Sequence, residues 1–183
     1  GVHIGADVYK SREAIDWVAR EFTSITCGPA VKWPMIQKDG KLGEYDFALG
    51  DRIVDAALDE GLRVRGHTLV WDTNPLGFYT DELPSLVEAA ADKPSAVRGA
   101  MRDHIHAVMS HYAGRIHTWD VVNEPMIGGA RGSSDNLFYR HLGEDYIADA
   151  LRLAHEADPD AELHINEAFG NYHGEKAEGF LAL

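Results

Sequence analysis

The sequence predicts an α/β fold built on a parallel sheet, and two observations carry that prediction. Short β-branched or alternating segments recur along the chain, each followed by an amphipathic stretch of helical period. About five such strand–helix units fit into the 183 residues. Consecutive parallel strands need a long crossover, and the intervening helices supply one of the usual right hand. Two architectures satisfy this pattern: an incomplete eight-unit barrel, since a closed one takes about 250 residues, or a doubly wound sheet.

Residues 2–8 read as the first strand. Ser11 is placed to cap a helix over 12–20, with Ala14, Ile15 and Val18 on its apolar side. Residues 22–26 form a second short strand, and an irregular stretch holding Lys32 and Trp33 follows. Asp46 caps a helix running to Glu60, with Ile53, Val54, Ala57 and Leu58 at helical spacing and Gly61 as its stop. Residues 62–71 are the third strand, and a long loop containing Pro75, Gly77 and Pro84 spans 72–93. Ser95 caps the next helix, which ends before Gly114, and 116–122 form strand four. Residues 126–137 are rich in glycine and serine and read as a loop. A strongly periodic helix covers 143–157, ended by Asp158-Pro159. Residues 163–166 are strand five, and a further helix starts near Gly174. The sequence contains no internal repeat and no low-complexity tail.

Composition narrows the function classes. Apolar content of 45% and charged content of 26% are those of a globular domain. Seventeen basic against thirty acidic side chains leave a net charge of −13, which disfavours nucleic acid and anionic membrane as partners. No apolar run is long enough to cross a bilayer. The single cysteine, Cys27, excludes an internal disulfide and has no basic neighbour in sequence to activate it. Ten histidines invite a metal. His104 and His106 lie two apart on one helix and diverge, whereas His104 and His111 share a face without a third ligand. No CxxC, HExxH or carboxylate cage is present, and Gly128-Gly129 lacks the spacing of a phosphate loop, so neither metal nor cofactor is expected.

The chemistry concentrates at the end of strand four, in Trp119-Asp120-Val121-Val122-Asn123-Glu124-Pro125. Ligands of parallel α/β folds are handled at the strands' C-terminal ends. Glu124 stands there before a proline, which predicts extended backbone for it. Its carboxylate beside the Asn123 amide is suited to general acid/base work, against the plain reading of a surface glutamate at a loop start. In strand three the two-residue period sets Arg65, His67, Leu69 and Trp71 on one side. His67 is otherwise an ordinary hydrogen-bonded core histidine, but with Trp71 it offers hydrogen bonds and a flat apolar surface suited to a sugar ring. Strict alternation would part Asn123 from Glu124, which predicts a β-bulge between Val122 and Pro125. Arg65 and Asp120, both inward, are expected to pair with each other or with Glu21.

Read together, these segments resemble glycoside hydrolase family 10, the endo-β-1,4-xylanases. The likeness rests on Ile4-Gly5-Ala6, Glu21-Phe22-Thr23-Ser24-Ile25-Thr26, Lys32-Trp33, Val64-Arg65-Gly66-His67-Thr68-Leu69-Val70-Trp71, the run from Trp119 to Glu124, and Glu156-Ala157-Asp158-Pro159-Asp160 leading to Ile165-Asn166-Glu167. It covers essentially the whole chain. It implies a (β/α)8 barrel of which this chain holds the first five or so units, as a single incomplete catalytic domain over residues 1–183. The resemblance makes Glu124 the acid/base of a retaining hydrolase of xylan or xylooligosaccharides, and puts Asn123 on the 2-hydroxyl of the sugar at the cleavage point. It places Lys32, Trp33, His67 and Trp71 on the donor side and implies a cis peptide at His67-Thr68. It also implies a secreted or periplasmic enzyme, although no signal peptide is read in this chain.

Two departures stand out. Cys27-Gly28-Pro29 replaces the usual Pro-Glu-Asn, and Asp72 replaces the histidine that usually follows Trp71. The family's nucleophile belongs to strand seven, and neither Asp7 nor Glu167 matches it. The polypeptide alone is therefore expected to be inactive, cut short after strand five, with open edges that self-associate. A non-catalytic sugar-binding remnant is the competing reading. A lyase or aldolase barrel ranks behind both, because no Schiff-base lysine or metal set is visible.

Overall fold

The computed structural model describes residues 1–5, 12–72, 82–126, 136–168 and 174–182. Five parallel strands lie side by side in chain order: β1 (Val2–Ile4), β2 (Ser24–Cys27), β3 (Arg63–Val70), β4 (Thr118–Asn123) and β5 (Glu162–Asn166). This order decides between the two architectures. A doubly wound sheet reverses direction at a switch point, whereas a barrel adds each strand beside the last. The strand that stops at Ile4 was predicted to run to Val8, but residues 6–11, including Asp7 and the expected cap Ser11, lie outside the described residues. The 75–77 turn residues and the Gly128-Gly129 pair also lie outside them.

Connections are helical. α1 (Arg12–Glu21) follows β1, and α2 (Trp33–Ile36) sits between two short 3-10 turns in the stretch expected to be irregular. α3 (Ala48–Asp59) has Phe47 at its N-cap, one residue after the Asp46 assigned to it, whose carboxylate accepts from Ala48 N at 2.9 Å; the helix stops at Gly61 with φ 71°. Besides α2, two helices were not expected from sequence: α4 (Glu82–Ala89), inside the predicted long loop, and α6 (Leu137–Leu142), at the end of the glycine-rich one. α4 buries Leu83 and Val87 and carries Pro84 in its first turn, where no backbone donor is needed. α5 (Lys93–Tyr112) is capped by Asp92, whose side chain accepts from Ser95 N at 3.0 Å, so the cap lies three residues before the serine assigned to it. α7 (Asp145–Ala157) and α8 (Glu175–Leu181) close the described chain. No helix among the described residues is long and apolar enough to cross a membrane.

The sheet has two unlike faces. Ile25, Cys27, Val64, Trp119 and Val121 are buried with α3, α5 and α7 in one apolar core. Burial pushes the Cys27 thiol up to about 12, which leaves it unreactive at neutral pH. Ser24, Thr26, Arg65, His67 and Thr118 alternate with those residues and remain half-buried on the other face. A cavity of about 230 Å³ lined by Ser24, Arg65, Thr118, Glu162 and His164 lies at the N-terminal half of that face, away from Glu124.

Trp119 lies across Gly66 of the neighbouring strand, where an added methyl group would fall within its ring. Gly66→Ala is expected to destabilise the fold by about 1–3 kcal/mol through overpacking, read as a lower urea midpoint. His104 of α5 is fully buried and stacked flat on Trp33, with ring centroids 3.9 Å apart. Burial lowers its pKa from 6.5 to about 3, so the folded chain refuses a proton that the unfolded chain takes up. Its contribution is complete above pH 6.5 and falls by about 1.4 kcal/mol per pH unit below it. Urea titrations of wild type and His104→Phe between pH 7 and 4.5 should show the variant losing less stability on acidification.

Candidate active site

At the C-terminal end of the sheet, four of the predicted residues converge. Lys32 Nζ lies 4.2 Å from the centroid of the Trp71 ring. Trp71 Nε1 donates to Glu124 Oε2 at 2.9 Å, and the His67 ring lies 6.5 Å from Trp71. Burial pulls the Lys32 ammonium below its ordinary pKa, and the Glu124 carboxylate acts against that. The cluster thus joins a carboxylate, a cation, an imidazole and an indole face on the ends of β3 and β4 and the turn after β2.

Backbone geometry at the end of β4 differs from the expectation. The irregularity lies between Asp120 and Val122, where the β4–β5 register shifts, and pairing is regular again from Val122 to Asn123. Glu124 is not extended: its φ is 51°, in the left-handed region that bulky residues seldom occupy. The proline that follows excludes the right-handed helical region, and the left-handed alternative turns the chain sharply out of the strand. Asn123 is buried, and its Oδ1 accepts from Asn166 Nδ2 at 2.7 Å. The expected alternation of β3 also breaks, because Leu69 is wholly buried in the apolar core while Arg65 and His67 remain half-exposed. The His67–Thr68 peptide is cis.

Asp120 supports the site from below. Arg65 donates to its carboxylate from Nε at 3.0–3.1 Å and from a terminal nitrogen as well. His67 Nδ1 lies 2.9 Å from Oδ2. An ionised carboxylate only accepts, so the proton is assigned to Nδ1 and Nε2 becomes the acceptor in the neutral ring. Burial pushes the Asp120 carboxyl up, but the hydrogen bonds from His67 and Arg65 together hold it below the usual value. The predicted Arg65–Asp120 pair is thus present.

Trp33 does not join the cluster. It is 6% exposed, stacked on His104 and 6.2 Å from Phe138, because its position at the start of α2 turns the indole into the layer between sheet and helices. Sequence reasoning missed His3, whose ring meets His67 edge-on at 6.4 Å and whose pKa is lowered by burial and by the nearby His67 and Lys32. It lies opposite Thr26 in the β1–β2 register, a pairing that no local sequence pattern records. Gly28 has no room for a side chain, since a Cβ there would press on Ile4 O. Asp72 is buried and accepts from Leu137 N, tying the end of β3 to the start of α6. Among the described residues no group of three or more His, Cys, Asp or Glu is placed to hold a metal ion.

The model of glycosyl hydrolase family 10 matches residues 1–183. The chain belongs to this family. Endo-1,4-beta-xylanase A of Phanerodontia chrysosporium is 35% identical over 162 residues, covering 88% of this chain and 37% of the fungal one. Endo-1,4-beta-xylanase A of Fusarium oxysporum f. sp. lycopersici is 38% identical over 160 residues, 87% of this chain and 45% of the relative. Xylanase 10B from Thermotoga petrophila, solved with xylobiose, superposes with a TM-score of 0.85 at 26% identity, over all of this chain and 53% of that one. An intracellular xylanase from Thermoanaerobacterium saccharolyticum, a mutant complexed with xylotetraose, gives 0.84 at 27% identity, over 100% and 57%. The family 10 chain spans about half the length of its relatives, or less, and its five parallel strands form part of a (β/α)8 barrel.

Removing the charge of Asp120 tests the support beneath this site. Asp120→Asn should lower stability by about 2–4 kcal/mol at pH 7, less than for a fully buried pair because Arg65 is partly solvated. In the wild type this stabilisation is complete above about pH 3.8 and is lost as pH falls through the depressed folded-state value. Denaturation of the variant should lack that acid limb.

Proposed function

We propose that this chain is the first part of the catalytic barrel of a retaining endo-1,4-β-xylanase-type hydrolase, with Glu124 as acid/base. The observation that supports this best is the placement of the Glu124 carboxylate at the end of β4, hydrogen-bonded by Trp71 and next to Lys32. Retaining hydrolysis needs a second carboxylate about 5–5.5 Å away. In this reading it comes from the strands that complete the barrel, and the five strands alone do not turn over substrate.

Glu124, protonated at the start, gives its proton to the glycosidic oxygen as the second carboxylate attacks the anomeric carbon and the bond to the leaving sugar breaks. Now ionised, Glu124 takes a proton from a water molecule that opens the glycosyl-enzyme bond. Trp71 N–H fixes the direction of the carboxylate through both steps. His67 Nε2, aimed by Asp120, accepts from a sugar hydroxyl; Lys32 donates to another, and Asn123 reaches the sugar at the cleavage point. The substrate is a β-1,4-linked xylooligosaccharide or xylan, in keeping with relatives solved with xylobiose and xylotetraose. Secretion or export to the periplasm goes with a polymeric substrate and forms part of the proposal. A second reading, a sugar-binding remnant, draws on Gly28, where no recognition side chain fits.

In a polypeptide that also carries the second carboxylate, Glu124→Gln should slow hydrolysis of unactivated xylooligosaccharides by about 10²–10⁴-fold. Aryl xylosides with good leaving groups need no proton to depart, so their first, glycosylation step should be nearly unaffected. Wild-type turnover of oligosaccharides by the variant would refute the assignment.

A further inference from the structure

Glu167 is a further acid at this end of the sheet, with its side chain shielded from solvent, and no step above uses it. It directly follows β5, and its side chain is 0% exposed. A carboxylate in that position persists only if its oxygens are well satisfied. Oε2 accepts from Met126 N at 2.8 Å, while Oε1 accepts from Ala168 N at 2.8 Å and faces Lys176 Nζ at 2.8 Å. Lys176 also donates to Ala168 O at 2.8 Å, so the helix α8 ammonium holds the carboxylate in place.

The Met126 bond matters because of what it encloses. Glu124 N donates to Asn166 O at 2.8 Å, Pro125 has no N–H, and Met126 N goes to Glu167. Every backbone donor of the 124–126 turn is therefore held by one of two successive residues at the end of β5. A left-handed φ at a glutamate persists where the surroundings over-determine it. Asn166 O fixes the near side of the turn, and Glu167 fixes the far side. Without the second anchor, Glu124 is free to relax toward the extended conformation that its sequence favours, which would carry its carboxylate away from Trp71.

We infer that Glu167 is a positioning residue: its carboxylate clamps the Met126 amide and thereby holds the Glu124 carboxyl group on the Trp71 indole. The inference rests on Glu124 as the proton donor for its meaning in catalysis, although the clamp itself is a statement of geometry.

The Trp71 indole N–H resonance of the ¹⁵N-labelled chain, assigned by Trp71→Phe, reports the bond to Glu124 directly. Glu124→Ala defines its position with that bond lost. Glu167→Ala should move the resonance to that position, while the Trp119 and Trp33 indoles stay in place. Glu167→Asp keeps the charge opposite Lys176 but is one methylene too short for Met126, so it should move the resonance likewise and serves if the alanine variant fails to fold. In a polypeptide with the second carboxylate, the Ala and Asp variants should lose on the order of 10–100-fold in kcat, with KM within about twofold. A Trp71 resonance at its wild-type position in folded Glu167→Ala or Glu167→Asp would overturn the clamp. Wild-type turnover by Glu124→Gln, with the Glu167 variants still moving the indole, would leave the clamp standing and remove the acid/base assignment.

Discussion

One buried carboxylate holds the interior of this sheet together. Asp120 receives Arg65 and His67 from β3 through its side chain, and Thr68 Oγ1 donates to its backbone oxygen at 2.8 Å. Three residues of β3 are thereby tied to one residue of β4. An ionised group on the inner face of a sheet is expensive to desolvate unless its lone pairs are filled, and here cationic and neutral donors fill them. The benefit is directional. With Asp120 occupied by Nδ1 of His67, the imidazole has one tautomer and one orientation, and its other nitrogen is presented towards the end of the sheet where Lys32, Trp71 and Glu124 meet.

Above that anchor, the site is made by interrupting regular structure. β3 and β4 slip in register between His67 and Val70, β4 and β5 slip between Asp120 and Val122, and Glu124 leaves the strand through a left-handed residue. Regular strands would send alternate side chains to opposite faces. The interruptions are concentrated in the last residues of the strands, next to the functional groups, whereas the first halves pair regularly over an apolar layer that holds Ile25, Val64 and Trp119. A rigid, well-packed lower half supports an irregular upper rim.

Much of the scaffold was legible in the chain because local and tertiary demands agree. The stripe Tyr146, Ile147, Ala150, Leu151, Ala154 is a helix in isolation and in the fold, and Gly61 stops α3 as a residue without a Cβ should. The missed helices lack that agreement. α4 offers a single pair of buried residues, Leu83 and Val87, beneath an early proline, and α6 spans only six residues, so both depend on burial and, in α6, on the Asn136 and Asp72 contacts. Trp33 was misplaced for a related reason: adjacency to Lys32 says nothing of direction once a helix starts between their side chains.

The sequence by itself determined the alternation of strand and helix, the need of Arg65 and Asp120 for charged partners and the identity of the groups that meet at the ends of β3 and β4, because periodicity and the cost of unpaired charge are properties of the residues present. Only the tertiary structure decided the strand order, the position of the bulge, the left-handed turn at Glu124 and the Glu167–Met126 contact that encloses it. Those features arise from groups far apart in the chain competing for the same hydrogen bonds, and no local pattern records which of them wins.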